Sequence, residues 1–164
     1  MENSDKQLEN IKDNAELQKL KVQEFKNRLL KTYKHLSKWA RKKDIHCYRI
    51  YDKDIPSIPL FIELYSSIDG ECYLNVSIYR CSFDDDEKIF SLKGKVFFCA
   101  ELLSVKKENV FIKVREKKKG SSQYEKIDSK RSVRFVVREG KANIYINISD
   151  YLDVGLFLDH RPLR

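Results

Sequence analysis

Residues 59–79 read PLFIELYSSIDGECYLNVSIY, and this stretch decides the fold class. Two runs rich in aliphatic, aromatic and β-branched residues, 59–65 and 72–79, flank the dipeptide Asp69-Gly70. Such runs favour β-strands, and an Asp-Gly pair between them is typical of a tight turn. The stretch therefore predicts two antiparallel strands joined as a hairpin.

Further strands are predicted on both sides of this hairpin, at residues 47–52, 110–115, 133–138 and 142–148. From Ser82 to Val105, apolar residues instead recur at helical spacing, and the acidic run 84–86 suits the positive end of a helix dipole. The order predicts an α+β domain. We expect a long N-terminal helix, then a mostly antiparallel sheet in a strand–strand–helix–strand–strand arrangement.

Residues 5–43 contain neither proline nor glycine and predict one long helix. Apolar residues recur every seven positions at Leu8, Ala15, Val22, Leu29 and Leu36, with Ile11, Phe25 and Trp39 on offset positions. Gln18 and Thr32 interrupt the offset row, which makes a self-associating coiled coil the weaker interpretation. The part from Phe25 to Trp39 is expected to pack on the domain with its basic residues outward.

The composition is typical of a soluble protein, with 41% hydrophobic and 35% charged residues and a mean hydropathy of −0.58. Its longest apolar stretch, near Val96 to Val105, is too short to cross a bilayer, and the polar N-terminus resembles no signal peptide. We therefore expect a cytoplasmic protein without a membrane partner. The four cysteines form no Cys-x-x-Cys pair, which predicts reduced thiols and no metal site.

The net charge of +8 is concentrated in two blocks. Residues 25–43 hold eight basic residues and no acid, and residues 106–141 hold thirteen basic and five acidic residues. Residues 1–24, in contrast, hold four lysines and six acids. Either block alone is most simply a solvated surface, but two basic blocks in one small chain favour a nucleic-acid partner.

Several segments resemble one known family: 25–30 (FKNRLL), 38–41 (KWAR), 47–52 (CYRIYD), 115–120 (REKKKG) with Gln123-Tyr124, and above all 147–161 (NISDYLDVGLFLDHR). They resemble the N-terminal region of the RlmK half of the bacterial bifunctional large-subunit rRNA methyltransferases. The resemblance runs from about Phe25 to Arg164 and is patchy over 66–83 and 126–141. Residues 1–24 match nothing specific.

The resemblance implies a small α+β domain ahead of a Rossmann-like domain that binds S-adenosylmethionine and methylates a guanine at N7. That second domain carries a Gly-rich turn and an Asp-Pro-Pro-type motif, and this sequence has neither. We therefore expect a fragment that stops before the cofactor domain, is inactive alone and binds no cofactor alone. The expected divisions are a long amphipathic basic helix (1–44), an RNA-positioning domain (45–149) and the start of a linker (150–164), with Pro162 opening a new helix.

The resemblance also implies that the segment before the methyltransferase domain borders the cofactor pocket. The candidate cofactor-binding residues are Phe157, Asp159, His160 and Arg161. An equally weighted interpretation is that 156–158 only anchor the linker to the sheet, with Asp159 and Arg161 forming a helix cap and an ion pair. No catalytic residue can be assigned, because the positions that would carry catalysis are absent.

The charged loop after residues 110–115 is the predicted RNA contact, through Arg115, Lys117, Lys118, Lys119, Gln123 and Tyr124. Lysine and arginine bind phosphates, glutamine can reach a base edge, and tyrosine can stack on an unpaired base. Lys117-Lys118 replaces an Arg-Gln pair common in the family, which keeps charge but loses forked hydrogen bonding. A solvated loop is the alternative.

Two other functions remain open at this point. The chain could be a stand-alone, non-catalytic RNA-binding adaptor of the same ancestry. It could also be a protein-interaction module that associates through its N-terminal helix. Salt-dependent binding to structured rRNA separates the first from the second.

Overall fold

The computed structural model describes residues 2–79, 86–115, 126–127 and 131–163, and it confirms the α+β class. The helices and strands, in chain order, are α1 (Glu2–Lys43), β1 (Cys47–Asp52), β2 (Leu60–Ser66), β3 (Cys72–Tyr79), α2 (Asp86–Leu102), β4 (Val110–Arg115), β5 (Arg134–Glu139) and β6 (Ala142–Asn147). Three strands thus precede α2 and three follow it.

The strands form two sheets. Strands β1, β2, β3 and β4 lie in that order in a four-stranded sheet, while β5 and β6 form a separate two-stranded sheet. Single antiparallel bridges, Ile45 to Glu139 and Ser67 to Val137, connect β5 to the segments beside the main sheet. The β1–β2, β2–β3 and β5–β6 pairs are antiparallel, as expected, and β3–β4 is parallel. A parallel neighbour requires a crossover, and α2 supplies it between β3 and β4.

Successive side chains of a strand point to opposite faces of the sheet. On one face of the four-stranded sheet these side chains are apolar. Leu60, Ile62 and Leu64 of β2 face this side with Leu74, Val76 and Ile78 of β3, all at most 5% exposed. Helices α1 and α2 cover this face and complete the main core. A register shift between Arg49 and Tyr51 breaks the alternation in β1, which lets Ile50 and Tyr51 both join that core.

The opposite face carries polar residues along the same strands and is covered differently. Over one end of it, the inner residues of the β5–β6 hairpin form a second core together with Cys47 and Tyr65 of the main sheet. The rings of Tyr73 and Phe135 stack there with centroids 4.0 Å apart. The hairpin is therefore held as a second layer over part of the polar face.

Helix α1 packs on the domain along its second half. Phe25 and Leu29 are buried, and the Phe25 ring meets the Tyr51 ring edge-on at 5.0 Å. The helix ends at Lys43, where Asp44 takes a positive φ of 54° and accepts two bonds from Arg138 of β5 at 2.7 and 2.8 Å. The end of α1 is thereby tied to the hairpin.

The tail corrects one expectation. A short 3-10 helix spans Leu158–Leu163, so Pro162 lies inside a helical segment and does not begin one. Gly155 adopts a φ of +91°, a conformation that favours glycine, and lets the chain turn before this segment. The predicted N-terminal acids at 84 and 85 lie outside the described residues, and α2 begins at Asp86.

Two adjacent leucines of α1 test how this helix is held. Leu29 is fully buried in the main core, whereas Leu30 is 40% exposed. We predict that Leu29→Ala lowers the free energy of unfolding by about 3 kcal/mol, because it removes apolar contacts and leaves a cavity. Leu30→Ala is the matched control and should change it by less than about 0.5 kcal/mol. Urea unfolding followed by circular dichroism measures both, and equal effects would contradict the packing.

Candidate functional site

A row of polar residues crosses the uncovered part of the sheet and becomes more buried from Arg49 to Asn75. The strand register places Arg49, Glu63 and Asn75 side by side on β1, β2 and β3. Arg49 donates through Nε and Nη2 to Oε1 of Glu63 at 3.3 and 3.0 Å. The Tyr65 hydroxyl and Asn75 Nδ2 donate to Oε2 at 3.1 and 3.0 Å. These four bonds stabilise a carboxylate whose side chain is only 13% exposed.

One atom of this row has no protein partner. Asn75 is 1% exposed, and its Oδ1 accepts no hydrogen bond within the part of the chain that the structure describes. An unmet buried acceptor costs about 1–3 kcal/mol. Asn75 lines a cavity of about 530 Å³ whose lining also includes Trp39 and Tyr79. The cavity therefore combines polar and aromatic side chains, a composition typical of ligand sites.

The tail forms the opposite wall of this cavity, and basic residues of β4 hold it in place. Arg115 donates through Nη2 to the Leu152 carbonyl at 2.7 Å and to Asp153 Oδ1 at 2.9 Å. Its Nε donates to Ser77 Oγ at 3.2 Å, and Lys113 Nζ donates to the same Leu152 carbonyl at 3.2 Å. These bonds fix residues 152–153 above the end of β4.

A second anchor lies at the end of the tail. Arg161 donates through Nε to Glu139 Oε1 at 2.6 Å and through Nη2 to the Cys47 carbonyl. The Glu139 side chain is only 6% exposed, so this ion pair is largely removed from water. The 3-10 segment is thus joined to both β1 and β5.

The predicted cofactor residues separate into two groups. Phe157, Asp159 and Arg161 line the cavity, whereas His160 is not part of its lining and instead contacts the Phe157 ring at 5.4 Å between centroids. Phe157 is 55% exposed, and Arg161 is held by Glu139. The sequence interpretation foresaw an ion pair at Arg161 without its partner.

Of the predicted RNA contacts, Arg115 lines the cavity, and its bonds to Ser77, Leu152 and Asp153 leave its side chain only 24% exposed. The other five predicted contacts, Lys117, Lys118, Lys119, Gln123 and Tyr124, lie outside the described residues. The far end of the loop is nevertheless anchored, since the Ile127 amide donates to the Asp150 carbonyl at 2.7 Å. Both ends of the basic loop are therefore fastened to residues 150–153.

Asp150 organises this anchor. It is buried, and its carboxylate accepts bonds from Ser149 Oγ at 2.6 Å, Ser132 Oγ at 2.8 Å and Arg134 Nη2 at 3.3 Å. The bond from Ser149, with the other side chains around it, holds the pKa of this carboxyl well below its usual range. Sequence reasoning missed Asp150 and the Glu63 row. For the row a signal existed, because Glu63 and Asn75 interrupt otherwise apolar strands.

Lys113 lies on the same face and is 4% exposed. Burial, with the nearby Arg115 charge, lowers the pKa of Lys113 to about 8. This lysine is therefore a buried amine that loses its proton in a mildly basic solution.

Among the described residues no group of His, Cys, Asp and Glu side chains could hold a metal ion. In the same part of the chain, none of the helices combines the length and the hydrophobicity that spanning a membrane requires. Cys47 and Cys99 are buried, and Cys72 is partly buried.

Comparison with known proteins found no matching family model. The chain is 40% identical over 145 residues to a ribosomal RNA large subunit methyltransferase K/L of Psychromonas ingrahamii, covering 87% of this chain and 19% of that protein. It is 39% identical over 145 residues to the one of Alcanivorax borkumensis (87% and 20%) and 37% identical over 155 residues to the one of Desulfotalea psychrophila (91% and 21%).

Identity at this level over most of the chain makes it a homologue of part of an rRNA methyltransferase. All three relatives are named ribosomal RNA large subunit methyltransferase K/L, which confirms the resemblance predicted from the sequence. The chain spans about a fifth of the length of these relatives.

The lowered pKa of Lys113 gives a test of whether this part of the polar face is shielded from water. The pKa of Lys113 is about 8 in the folded chain, against 10.5 for a lysine in water. Between these values the unfolded chain binds more protons, so a rise in pH favours the folded state. We predict that the free energy of unfolding of the wild type, relative to Lys113→Met, increases by about 2 kcal/mol from pH 7 to pH 9.5.

Other groups whose proton binding differs between the folded and unfolded chains, such as Cys99, contribute equally to both proteins and cancel. Lys141→Met is the control, since Lys141 is exposed, and it should follow the wild type at every pH. Denaturant titrations at four pH values measure the difference. A difference that does not vary with pH would show that Lys113 is not desolvated.

Proposed function

We propose that this chain is the substrate-positioning domain of a methyltransferase that uses S-adenosylmethionine to methylate an rRNA guanine at N7, and that it binds rRNA through basic residues. One observation carries the proposal. The basic loop and the tail that lines the cavity are fastened to the same four residues, 150–153, through Arg115, Lys113 and the Ile127 amide. Arg115 and Ile127, which stand on either side of the proposed loop contacts, are thereby tied to the segment that leads into the tail.

The chemistry of the reaction explains why such a domain is useful. N7 of guanine lies on the major-groove edge, and the major groove of an RNA helix is too deep and narrow for a side chain to read. The target base must therefore be unpaired or flipped out. A basic module that binds the surrounding phosphates holds the RNA while the base enters a pocket on another domain.

We assign the RNA contacts to the loop residues Arg115, Lys117, Lys118, Lys119, Gln123 and Tyr124. Arg115 contributes mainly by positioning, because its guanidinium holds residues 152 and 153. The proposed divisions are a basic helix over 1–44, the RNA-positioning domain over 45–149 and a linker from 150 to 164.

We also propose that Phe157, Asp159, His160 and Arg161 border the cofactor pocket of the longer enzyme. The exposed ring of Phe157 suits an adenine face, and the exposed carboxylate of Asp159 suits hydroxyl or ammonium donors. Arg161 keeps the segment in place through Glu139. S-adenosylmethionine would supply the methyl group, and the residues of this chain would form one wall of its site.

The loop assignment is tested by removing charge. We predict that Lys117→Ala, Lys118→Ala and Lys119→Ala together weaken binding to a large-subunit rRNA fragment. The slope of log affinity against log salt should fall by about 2, because about 0.7 is lost per phosphate contact in a single strand. Fluorescence anisotropy at several salt concentrations measures both quantities.

The matched control removes three lysines from the acidic N-terminal segment, Lys6, Lys12 and Lys19. It changes the net charge equally and should leave the salt slope near that of the wild type. If the loop variant and the control behave alike, the loop is not the RNA contact. If the wild type binds no rRNA in low salt, the proposed function fails.

The cofactor assignment gives a separate expectation. Because this chain would supply only one wall of the pocket, we predict no measurable binding of S-adenosylmethionine to the isolated chain, with a dissociation constant above about 1 mM. Isothermal titration calorimetry measures this. Saturable binding at micromolar concentration would contradict the proposed division of the site between two domains.

A further inference from the structure

The outward face of the β5–β6 hairpin carries an exposed aromatic ring among cationic and amide side chains. We propose that this face stacks one unpaired base of the bound RNA on Tyr145. The inference rests on the proposed function, because it assumes that the chain binds RNA. It adds a surface outside the basic loop and outside the cavity.

The register of the hairpin forces Tyr145 outward. Phe135 and Val137 of β5 and Ile146 of β6 face the second core and are at most 8% exposed. Since neighbouring side chains in a strand point to opposite faces, Tyr145 must face solvent, and it is 66% exposed. Its cross-strand partner is Val136. The ring therefore lies on a rigid strand that the inner core holds in place.

Two arginines flank the ring on the neighbouring strand. Arg134 and Arg138 stand two positions before and after Val136, which makes both diagonal neighbours of Tyr145. Arg134 Nη2 contacts Asp150 Oδ2 at 3.3 Å, and Arg138 Nη2 contacts Asp44 Oδ1 at 2.7 Å. Each carboxylate orients its guanidinium through Nη2, and a guanidinium carries five donors, so donors remain for a phosphate.

The surroundings of the ring favour RNA over a protein partner. Asn143 and Asn147 share the outward face with the arginines, and among the outward residues of the two hairpin strands Val136 alone is aliphatic and is partly buried. Protein interfaces surround an aromatic anchor with apolar side chains and are depleted of charge at their centre. A base that stacks on tyrosine needs the reverse, an isolated ring with cations near the phosphates on either side.

The hairpin face is also continuous with the predicted RNA loop. Asp150 Oδ2 contacts both Arg134 on the hairpin, at 3.3 Å, and Lys126 Nζ at the end of the loop, at 3.8 Å. One carboxylate thus joins the two basic regions.

The test uses the 164-residue chain and an rRNA-derived oligonucleotide with a single-stranded segment that carries 2-aminopurine, whose fluorescence falls on stacking. Tyr145→Ala should weaken binding about tenfold, which corresponds to about 1.4 kcal/mol and lies within the range for one stacked base. It should also abolish the fluorescence change. Tyr145→Phe keeps the ring and should stay within about twofold of the wild type.

Phe97→Ala is the matched control, because Phe97 is 45% exposed but lies on α2, on the other side of the main sheet, and it should bind like the wild type. Circular dichroism checks that each variant is folded.

If Tyr145→Ala binds and quenches like the wild type while the three-lysine loop variant binds weakly, the stacking inference is wrong and the proposed function stands. If the wild type binds no RNA, both fail. If Tyr145→Ala changes only the mass of the chain in solution, the face is a protein contact and the inference is wrong.

Discussion

The polar face of the sheet depends on the carboxylate of Glu63. This carboxylate lies in the middle of β2, where the adjacent residues are buried. A charge in such a place is tolerated only if it is paired and hydrogen-bonded. Arg49 and Asn75 reach it from the two adjacent strands, and Tyr65 reaches it from its own strand. Because this row is polar, it does not offer the tail an apolar surface to pack against. A cavity lies between the sheet and the tail.

The tail is held over this cavity by bonds to residues that the sequence places far from it. Arg115 and Lys113 of β4 are nearly forty residues from Leu152, and Arg161 of the tail reaches Glu139 of β5 from 22 residues away. Anchors of this kind make the tail part of the domain instead of a free extension. They also tie Arg115 and Ile127, the described residues on either side of the loop after β4, to residues 150–153. This shared anchor is the structural basis for assigning RNA positioning to the chain.

The strands could be predicted to within one residue because alternation along β3 and the Asp69-Gly70 turn are local signals. The helical spacing over α2 was equally local. The parallel pairing of β3 with β4 could not be predicted, because it depends on the path of α2 and not on any residue of β4. The partner of Arg161 and the cavity were also beyond the sequence, since both arise where distant segments meet. Glu63 could have been singled out, because a charged residue within an apolar strand requires partners.

Long-range electrostatic attraction and the orientation of arginine side chains belong to different parts of the basic surface. Asp44 and Asp150 neutralise much of the charge of Arg138 and Arg134, so the hairpin adds little to long-range attraction. Attraction of the proposed RNA would come from residues 25–43, which contain no acid, and from the lysines of the loop after β4. The two aspartates instead orient the arginine side chains of the hairpin. A guanidinium that a carboxylate already holds loses less entropy when it binds a phosphate. The loop would therefore set how strongly binding depends on salt, and the hairpin would set which nucleotide conformation is accepted.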